Sequence, residues 1–337
     1  VSESDLATVK LSKLRNITGG VTIYNNDYLV AVSLPLLEHI GGDLDVTYNH
    51  DSSTYAGTYA LPALRAVGGQ VYFKVNSYLG AVSMGSLESV GGQVSFIWNY
   101  NSDPNVDMSS LQSIGSLLRI YSSPGSSSLY SGSYDFSSLA TVASYVQIDS
   151  NYIGSLRIFE SGANASVGTY LRISSNYDMH ESLNMTQLTS VGSYMQIDSN
   201  GDLQQLNAPA LSSISGYLQV YDNDALNTLD VSALASLNAD GSSGWCTASG
   251  EYEDLCVYGN DLGDVETQVT GLTYSSLSVH SDACLAFADE ASFFCLFLPS
   301  FEPSPLPTAT LLPTLLPWSI RYGGGGCVGR RSLQSDG

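Results

Sequence analysis

Basic residues are scarce in this chain: 11 lysines and arginines stand against 32 aspartates and glutamates in 337 residues, a formal net charge of -21. Such a surface is unsuited to neutralising phosphates, so we expect no nucleic-acid partner. After Arg172 the next basic residue is Arg321. The acidic stretch between them would suit a cationic partner, although dispersal in solution is the simpler interpretation.

Long apolar runs are also lacking. No apolar stretch reaches the roughly 18 residues of a transmembrane helix, and no signal segment is visible at the N-terminus. Contact with a membrane would therefore need sequence outside this chain. Hydrophobic residues nevertheless make up 43% of the chain, which is enough to bury a core. Abundant Ser, Gly, Asn and Tyr favour turns and strands over helices.

An internal repeat dominates the chain. Four and six residues after the start of each unit, all nine units carry an apolar residue, with polar or mixed residues between. This alternation predicts a strand with one buried face. The units are 23–28 residues long, and they start at Ile17, Ile40, Val67, Val90, Ile114, Val142, Val167, Val191 and Ile214.

An asparagine column lies nine residues after the unit start. Asparagine tolerates left-handed backbone, and stacked asparagines can hydrogen-bond along a repeat axis, so we predict a structural ladder. The fifth unit has Ser123 instead; the other eight have Asn26, Asn49, Asn76, Asn99, Asn151, Asn176, Asn200 and Asn223. Glycine pairs mark a corner where we expect positive φ: Gly19-Gly20, Gly41-Gly42, Gly68-Gly69 and Gly91-Gly92.

Each unit reads as one strand, a turn, a short second strand and the glycine corner. The prediction is an all-β parallel β-helix, a solenoid of about nine to ten coils, over residues 1–237. Residues 121–135 and 152–166 break the pattern and are predicted to be loops. Because the sequence begins halfway round a coil, we expect further residues before Val1. Residues 299–337 form a Pro/Gly-rich linker or disordered tail.

The cysteines lie outside the repeats. Residues 238–298 are predicted to form a small disulfide-braced C-terminal cap, with undetermined pairing among Cys246, Cys256, Cys284 and Cys295. Glycosylation motifs begin at Asn16, Asn164 and Asn184. With the cysteine pattern and the fold, these motifs predict an extracellular or cell-surface glycoprotein.

The units resemble a known repeat. LPLLEHIGGDLDVTYN, LPALRAVGGQVYFKVN and APALSSISGYLQVYDN resemble the receptor L-domain repeat, the leucine-rich-repeat-like β-helix of the insulin and epidermal growth factor receptor ectodomains. They resemble more closely the repeats of fungal cell-wall proteins of the sporulation-specific, GPI-anchored type. The resemblance covers about residues 6–237 and implies a right-handed β-helix. It leaves function open, because this fold carries ligand binding, wall assembly and adhesion alike.

Candidate binding residues lie on the outward side of the predicted sheet. Aromatic rings there can stack on sugars or anchor peptides. The candidates are Tyr24, Tyr72, Trp98, Arg119, Tyr121, Asp149, Arg172, Asp198 and Tyr221, with Tyr48 beside them. A separate run, Tyr145, Tyr170, Tyr194 and Tyr217, is predicted to be a stacked ladder that supports a corner.

Catalysis and metal binding have weaker support. Asp149 and Asp198 would lie about 10 Å apart and could flank a sugar, but a solvated face with alternating charges is favoured. No histidine lies at ligand spacing, so no metal site is predicted. The turns Asp222-Asn-Asp224 and Asp261-Leu-Gly-Asp264 could offer oxygen ligands to Ca²⁺, yet ordinary turns are favoured and no cofactor is expected.

The leading hypothesis is a non-enzymatic recognition, adhesion, cell-wall or extracellular-matrix protein. Its partner would be an extracellular polysaccharide, glycoprotein or peptide, with self-association along the rod as a further possibility. The alternative is the ligand-binding ectodomain of a membrane receptor, and the third hypothesis is a polysaccharide-active β-helix enzyme.

Overall fold

A computed structural model describes residues 2, 6–49, 57–99, 104–121, 132–180, 182–237, 244–246, 251–253, 255–258, 260, 284–286 and 293–295. Beyond residue 237, only the side chains of Val257 and Asn260 are described. The described residues form strands and turns, and none of their segments is a helix that could cross a membrane. The predicted all-β parallel solenoid is confirmed.

The largest sheet, here the long sheet, contains the first strand of each predicted unit. Its strands pair in parallel and in register, except that the last two are antiparallel. They are β3 (Val21–Asn26), β6 (Leu44–Asn49), β9 (Val71–Lys74), β12 (Val94–Ile97), β15 (Leu118–Tyr121), β18 (Val146–Asp149), β21 (Leu171–Ser174), β24 (Met195–Asp198), β27 (Leu218–Tyr221), β31 (Leu255–Tyr258), β32 (Cys284–Ala286) and β33 (Phe293–Cys295).

A second sheet, the side sheet, is formed by the next segment of each coil. It comprises β1 (Thr8–Lys10), β4 (Ala31–Ser33), β7 (Gly57–Ala60), β10 (Leu79–Ser83), β13 (Asn105–Asp107), β16 (Gly132–Phe136) and β19 (Ile153–Ile158). A three-stranded sheet follows it, formed by β22 (Ser182–Asn184), β25 (Gln205–Asn207) and β28 (Thr228–Asp230). Beyond the coils, β29 (Gly244–Cys246) and β30 (Glu251–Glu253) pair antiparallel.

The third sheet, the corner sheet, was not predicted. Its strands are β2 (Asn16–Ile17), β5 (His39–Ile40), β8 (Ala66–Val67), β11 (Ser89–Val90), β14 (Ser113–Ile114), β17 (Thr141–Val142), β20 (Ala165–Val167), β23 (Leu188–Val191) and β26 (Ser213–Ile214). Each coil therefore has three strands instead of two, because most corner strands are too short to display a period of two. Eight turns of chain separate these nine strands, slightly fewer than the nine to ten coils expected.

The core follows the two predicted apolar columns. In β9, Val71 and Phe73 are fully buried, and the same positions are buried in the neighbouring strands. Phe73 stacks on Phe96 of the next coil, with ring centroids 5.1 Å apart. In-register stacking thus builds one continuous core from units that could not bury their apolar faces alone.

Two predicted loops are wrong in part. Residues 132–136 form β16 and residues 153–158 form β19, and these two strands pair with each other. Their apolar side chains, including Phe136 and Ile158, are buried, which gives these segments the same reason to form strands as the regular units. Of the first predicted loop, residues 122–131 lie outside the described part.

The glycine corner was interpreted wrongly. None of the eight paired glycines has a φ in the left-handed region. In the three later pairs, the first glycine is instead pressed against the coil below: a Cβ at Gly91 would lie 2.2 Å from the carbonyl oxygen of Gly68. Close approach of neighbouring coils, not backbone handedness, accounts for glycine at this position.

The asparagine column forms a ladder in the interior. Seven hydrogen bonds of 2.9–3.2 Å join the side-chain amide of one asparagine to the carbonyl oxygen of the next in the described residues. One run joins Asn26 to Asn99 and a second joins Asn151 to Asn260. Ser123, between the runs, lies outside the described residues. Asn260, 37 residues after Asn223, extends the ladder beyond the predicted units.

Candidate binding face

The outward side of the long sheet carries all nine predicted binding residues, but their exposure differs. Tyr24 and Trp98 are 41% and 37% exposed, whereas Asp149 and Asp198 are only 6% and 5% exposed. The two aspartates are short side chains in a parallel in-register sheet, where residues of adjacent strands cover them. The predicted set therefore divides into an exposed aromatic part near the N-terminus and a more buried polar part further along.

A column of left-handed residues runs along the edge of this face. In the eight described units with a residue at this position, the residue eight after the unit start has a φ between 52° and 59°. These residues are Asn25, Tyr48, Val75, Trp98, Ser150, Ser175, Ser199 and Asp222. The left-handed residue thus comes directly before each ladder asparagine, and the reversal precedes the inward-turned ladder side chain.

Two of the left-handed residues are large and exposed. Asn, Ser and Asp occupy five of the eight positions and are the smaller polar types, of which Asn and Asp adopt this conformation most readily. Tyr48 and Trp98 adopt it at a cost of about 1–2 kcal/mol each, and they remain 46% and 37% exposed. The Tyr48 ring contacts that of Tyr24 edge to face, and Lys74 lies over the ring of Trp98. Neither burial in the core nor backbone preference explains the two residues, which makes their exposed surface a candidate for ligand contact.

Two cations lie over aromatic rings in the middle of the face. The Lys74 Nζ is 5.1 Å from the Trp98 ring centroid, and the Arg119 guanidinium carbon is 5.4 Å from that of Tyr121. Such contacts hold a cation at an aromatic face. Between them lies Ser95, which is completely buried and whose Oγ has no hydrogen-bond partner in the part of the chain that the structure describes.

A polar network occupies the next coils. Gln147 donates to Asp149 Oδ2 over 2.6 Å, while the Arg172 Nε lies 3.7 Å from Asp149 Oδ1. Asp198 accepts from Ser174 and Gln196 over 2.7 Å and 2.9 Å. Burial raises the pKa of the Asp149 carboxyl above its ordinary value, although Gln147 and the arginines oppose this effect. Both oxygens of Asp198 accept hydrogen bonds, whereas Asp149 Oδ1 and Arg172 Nε are buried without a hydrogen-bond partner among the described residues.

The second tyrosine run is a stack. Successive ring centroids of Tyr145, Tyr170, Tyr194 and Tyr217 are 4.6, 4.9 and 4.8 Å apart, with the planes within 6° of parallel. The predicted stacking is confirmed. Burial raises the pKa of Tyr170 to about 12, helped by the neighbouring tyrosines of the stack. These rings bury their faces against one another, so only the terminal faces are available for stacking on a ligand.

One cluster was missed by the sequence analysis. Asp178, His180 and Asp202 place three potential metal-ligand atoms within 4.8 Å of one another. Asp178 and Asp202 occupy the same position in consecutive units, and this signal could have revealed the cluster. The fold thus brings a histidine close to two carboxylates, an arrangement that the sequence analysis did not predict. The cluster is exposed in part, and the histidine contacts both carboxylates at 3.8–3.9 Å.

Only one of the two aspartate-rich turns that could offer ligands to Ca²⁺ lies within the described residues. Asp222 and Asp224 are exposed, and partial burial together with Asp224 and Asp198 raises the pKa of Asp222. Residues 261–264 lie outside the described part of the chain.

The remaining predicted sites are described in part. Asn16 and Asn164 are exposed, whereas Asn184 is half-buried and accepts a 2.8 Å hydrogen bond from Asn207. The backbone pairs Cys284 with Cys295, but the side chains of the four candidate cysteines lie outside the described residues. The tail 299–337 also lies outside them.

No family model, curated protein or solved structure matches this chain.

Proposed function

We propose that this chain is a secreted or cell-surface, non-enzymatic recognition protein that binds an extracellular polysaccharide, glycoprotein or peptide on the outward side of its long sheet. The observation that carries the proposal is the pair Tyr48 and Trp98, two exposed aromatic residues in the left-handed region. Strained residues recur at functional sites. A rigid sheet also holds such rings in place before binding, which lowers the entropy lost on association.

The repeat columns support a relationship to receptor L-domain-like proteins and to fungal cell-wall proteins of the sporulation-specific type. A role in adhesion or in wall or matrix structure, including self-association along the rod, is compatible with the same face. The ligand-binding ectodomain of a membrane receptor is the alternative within the recognition class. Fold alone does not choose among these roles, because unrelated functions share repeat scaffolds.

A polysaccharide-active enzyme is the second candidate. It is favoured by Asp149, whose raised pKa would suit a general acid, two strands away from Asp198. Against it, Asp198 accepts hydrogen bonds from Ser174, Ser199 and Gln196 and is only 5% exposed. A catalytic carboxylate has to reach its substrate, so binding without cleavage is the better-supported function.

The test is a binding screen of the full chain against neutral and acidic polysaccharides, glycoproteins and peptides, with reducing ends measured in parallel. We expect retention of at least one class without release of reducing ends. Cleavage that is abolished by Asp149→Asn would replace recognition with catalysis. Absence of any bound class would refute the recognition function. Antibody labelling of intact cells against the repeat region tests the location, since signal only after permeabilisation would contradict it.

A further inference from the structure

The outward side of β9, β12 and β15 differs in charge from the rest of this acidic chain. It carries Tyr72, Lys74, Trp98, Arg119 and Tyr121, here called the cation–aromatic patch. The outward positions of these three strands contain two cations and no acidic residue, although the chain as a whole has a net charge of -21. Other arginines, such as Arg65 and Arg157, have their charges paired with glutamate or aspartate.

Each cation of the patch lies over a ring, and neither forms a salt bridge within 4 Å among the described residues, although Arg119 is close enough to Asp149 to lower the pKa of its carboxyl. Lys74 lies over Trp98 and Arg119 over Tyr121. Their strands are separated by β12 alone, so the backbones that carry them lie about 10 Å apart along the rod. A chain with repeated acidic groups, running along the solenoid axis, matches this arrangement better than a single small anion does.

The patch offers side chains and no free backbone. β9, β12 and β15 are each paired on both sides by neighbouring coils. An extended peptide that binds by adding a strand needs an unpaired sheet edge, which this region lacks. Exposed aromatic faces suit the C–H surfaces of sugar rings, while ammonium and guanidinium groups bind carboxylates or sulfates.

We propose that the cation–aromatic patch binds an acidic polysaccharide, with sugar rings on Trp98 and its acidic groups on Lys74 and Arg119. This inference rests on the proposed recognition function and names its ligand class and its location on the rod.

The charge requirement is tested with polygalacturonate and its fully methyl-esterified form, which share a backbone and differ in charge. The full chain should bind the acid polymer at least about tenfold more tightly than the ester, and added salt should reduce the difference. Equal binding of both polymers would overturn the inference. Binding of neutral glycans or peptides only would overturn it too, while leaving the recognition function standing. No binding to any class would remove both.

The location is tested with matched charge variants. Lys74→Gln combined with Arg119→Gln should weaken binding of the acid polymer about tenfold or more. Arg15→Gln combined with Arg65→Gln removes the same charge from arginines that are paired with glutamates of the next coil, and it should leave binding unchanged. Equal losses in the two double variants would show that overall charge, and not the patch, governs binding.

Trp98→Asn separates a binding role from a structural one. Asparagine is favoured at the 54° φ of this residue, so the melting temperature should stay the same or rise while polymer binding is lost. A lower melting temperature with intact binding would assign Trp98 to the fold and overturn the site. Poly-glutamate tests whether an acidic peptide binds the patch as well as an acidic polysaccharide does. If it binds as tightly as polygalacturonate with the same dependence on Trp98, the ligand is not assigned correctly as a polysaccharide.

Discussion

Removing one asparagine from the ladder should destabilise several coils at once. Asn176 is completely buried, and its side-chain nitrogen donates to Ile148 O over 2.9 Å and to Asn200 Oδ1 over 3.0 Å. Its side-chain oxygen accepts from both the side-chain and the backbone nitrogen of Asn151, over 2.9 Å and 3.3 Å. One amide thus connects three consecutive coils.

The magnitude follows from the groups that Asn176→Ala leaves without a partner. The backbone N–H of Asn151 loses the acceptor on Asn176, whereas Ile148 O loses the side-chain donor but stays in the parallel ladder of β18 and β21. The Asn151 side chain still donates to Ile120 O, and Asn200 Oδ1 still accepts from the backbone of residue 176. One unsatisfied buried N–H at about 1–3 kcal/mol, together with the lost side-chain hydrogen bonds, gives a loss of about 2–3 kcal/mol in the free energy of unfolding.

Urea denaturation followed by circular dichroism measures this loss. The control is Asn227→Ala, since Asn227 is exposed and accepts one hydrogen bond from Thr228, so its change should stay within about 0.5 kcal/mol. A loss below about 1 kcal/mol for Asn176→Ala, or equal losses in the two variants, would refute the view that the ladder stabilises the solenoid.

Two further predictions concern the corner and the tyrosine stack. Gly91→Ala should lower the free energy of unfolding by about 1–3 kcal/mol in thermal unfolding, because its Cβ would lie 2.2 Å from Gly68 O. Gly19→Ala, whose Cβ would have no described atom within 4 Å, should lower it little. Equal losses in the two variants would contradict the close-approach role. The pKa of Tyr170 is raised to about 12 in the folded state, so the protonated phenol favours folding and this contribution is lost as pH rises from about 10 through 12. Between pH 9 and pH 11, the free energy of unfolding measured in urea should therefore fall less for Tyr170→Phe than for the unsubstituted protein. An equal fall in both proteins would disprove the linkage.

The repeat spacing was sufficient to predict the solenoid, because columns such as Val71 and Phe73 alternate over nine units and can be buried together only by stacking. The corner strands escaped prediction, since a strand such as His39–Ile40 is too short to show alternation. Asn260 escaped because its distance from Asn223 exceeds every earlier repeat length. The left-handed column also escaped prediction, because the type of residue before each asparagine varies from Ser150 to Trp98.

The candidate site was harder to predict, because neither the repeat period nor the composition of the chain reveals how exposed an individual side chain is. Tyr24, Asp149 and Asp198 occupy equivalent outward positions, yet only the tyrosine is exposed. What distinguishes such positions is the size of the side chains on the two flanking strands, which depends on the register between coils. A sequence can supply the columns, but the neighbours in space decide which members of a column reach solvent.

The fold restricts the residue type at particular columns of the repeat. Function can therefore be carried by the columns where the residue type is less restricted. The inward columns require apolar residues, the ladder requires asparagine, and most corners require a residue without a bulky side chain. The left-handed column requires only a residue that tolerates its φ, and a small polar type would meet that need with less strain than Tyr48 or Trp98. Because a less strained residue would serve the fold at these two positions, Tyr48 and Trp98 are the positions at which the proposed recognition function is tested most directly.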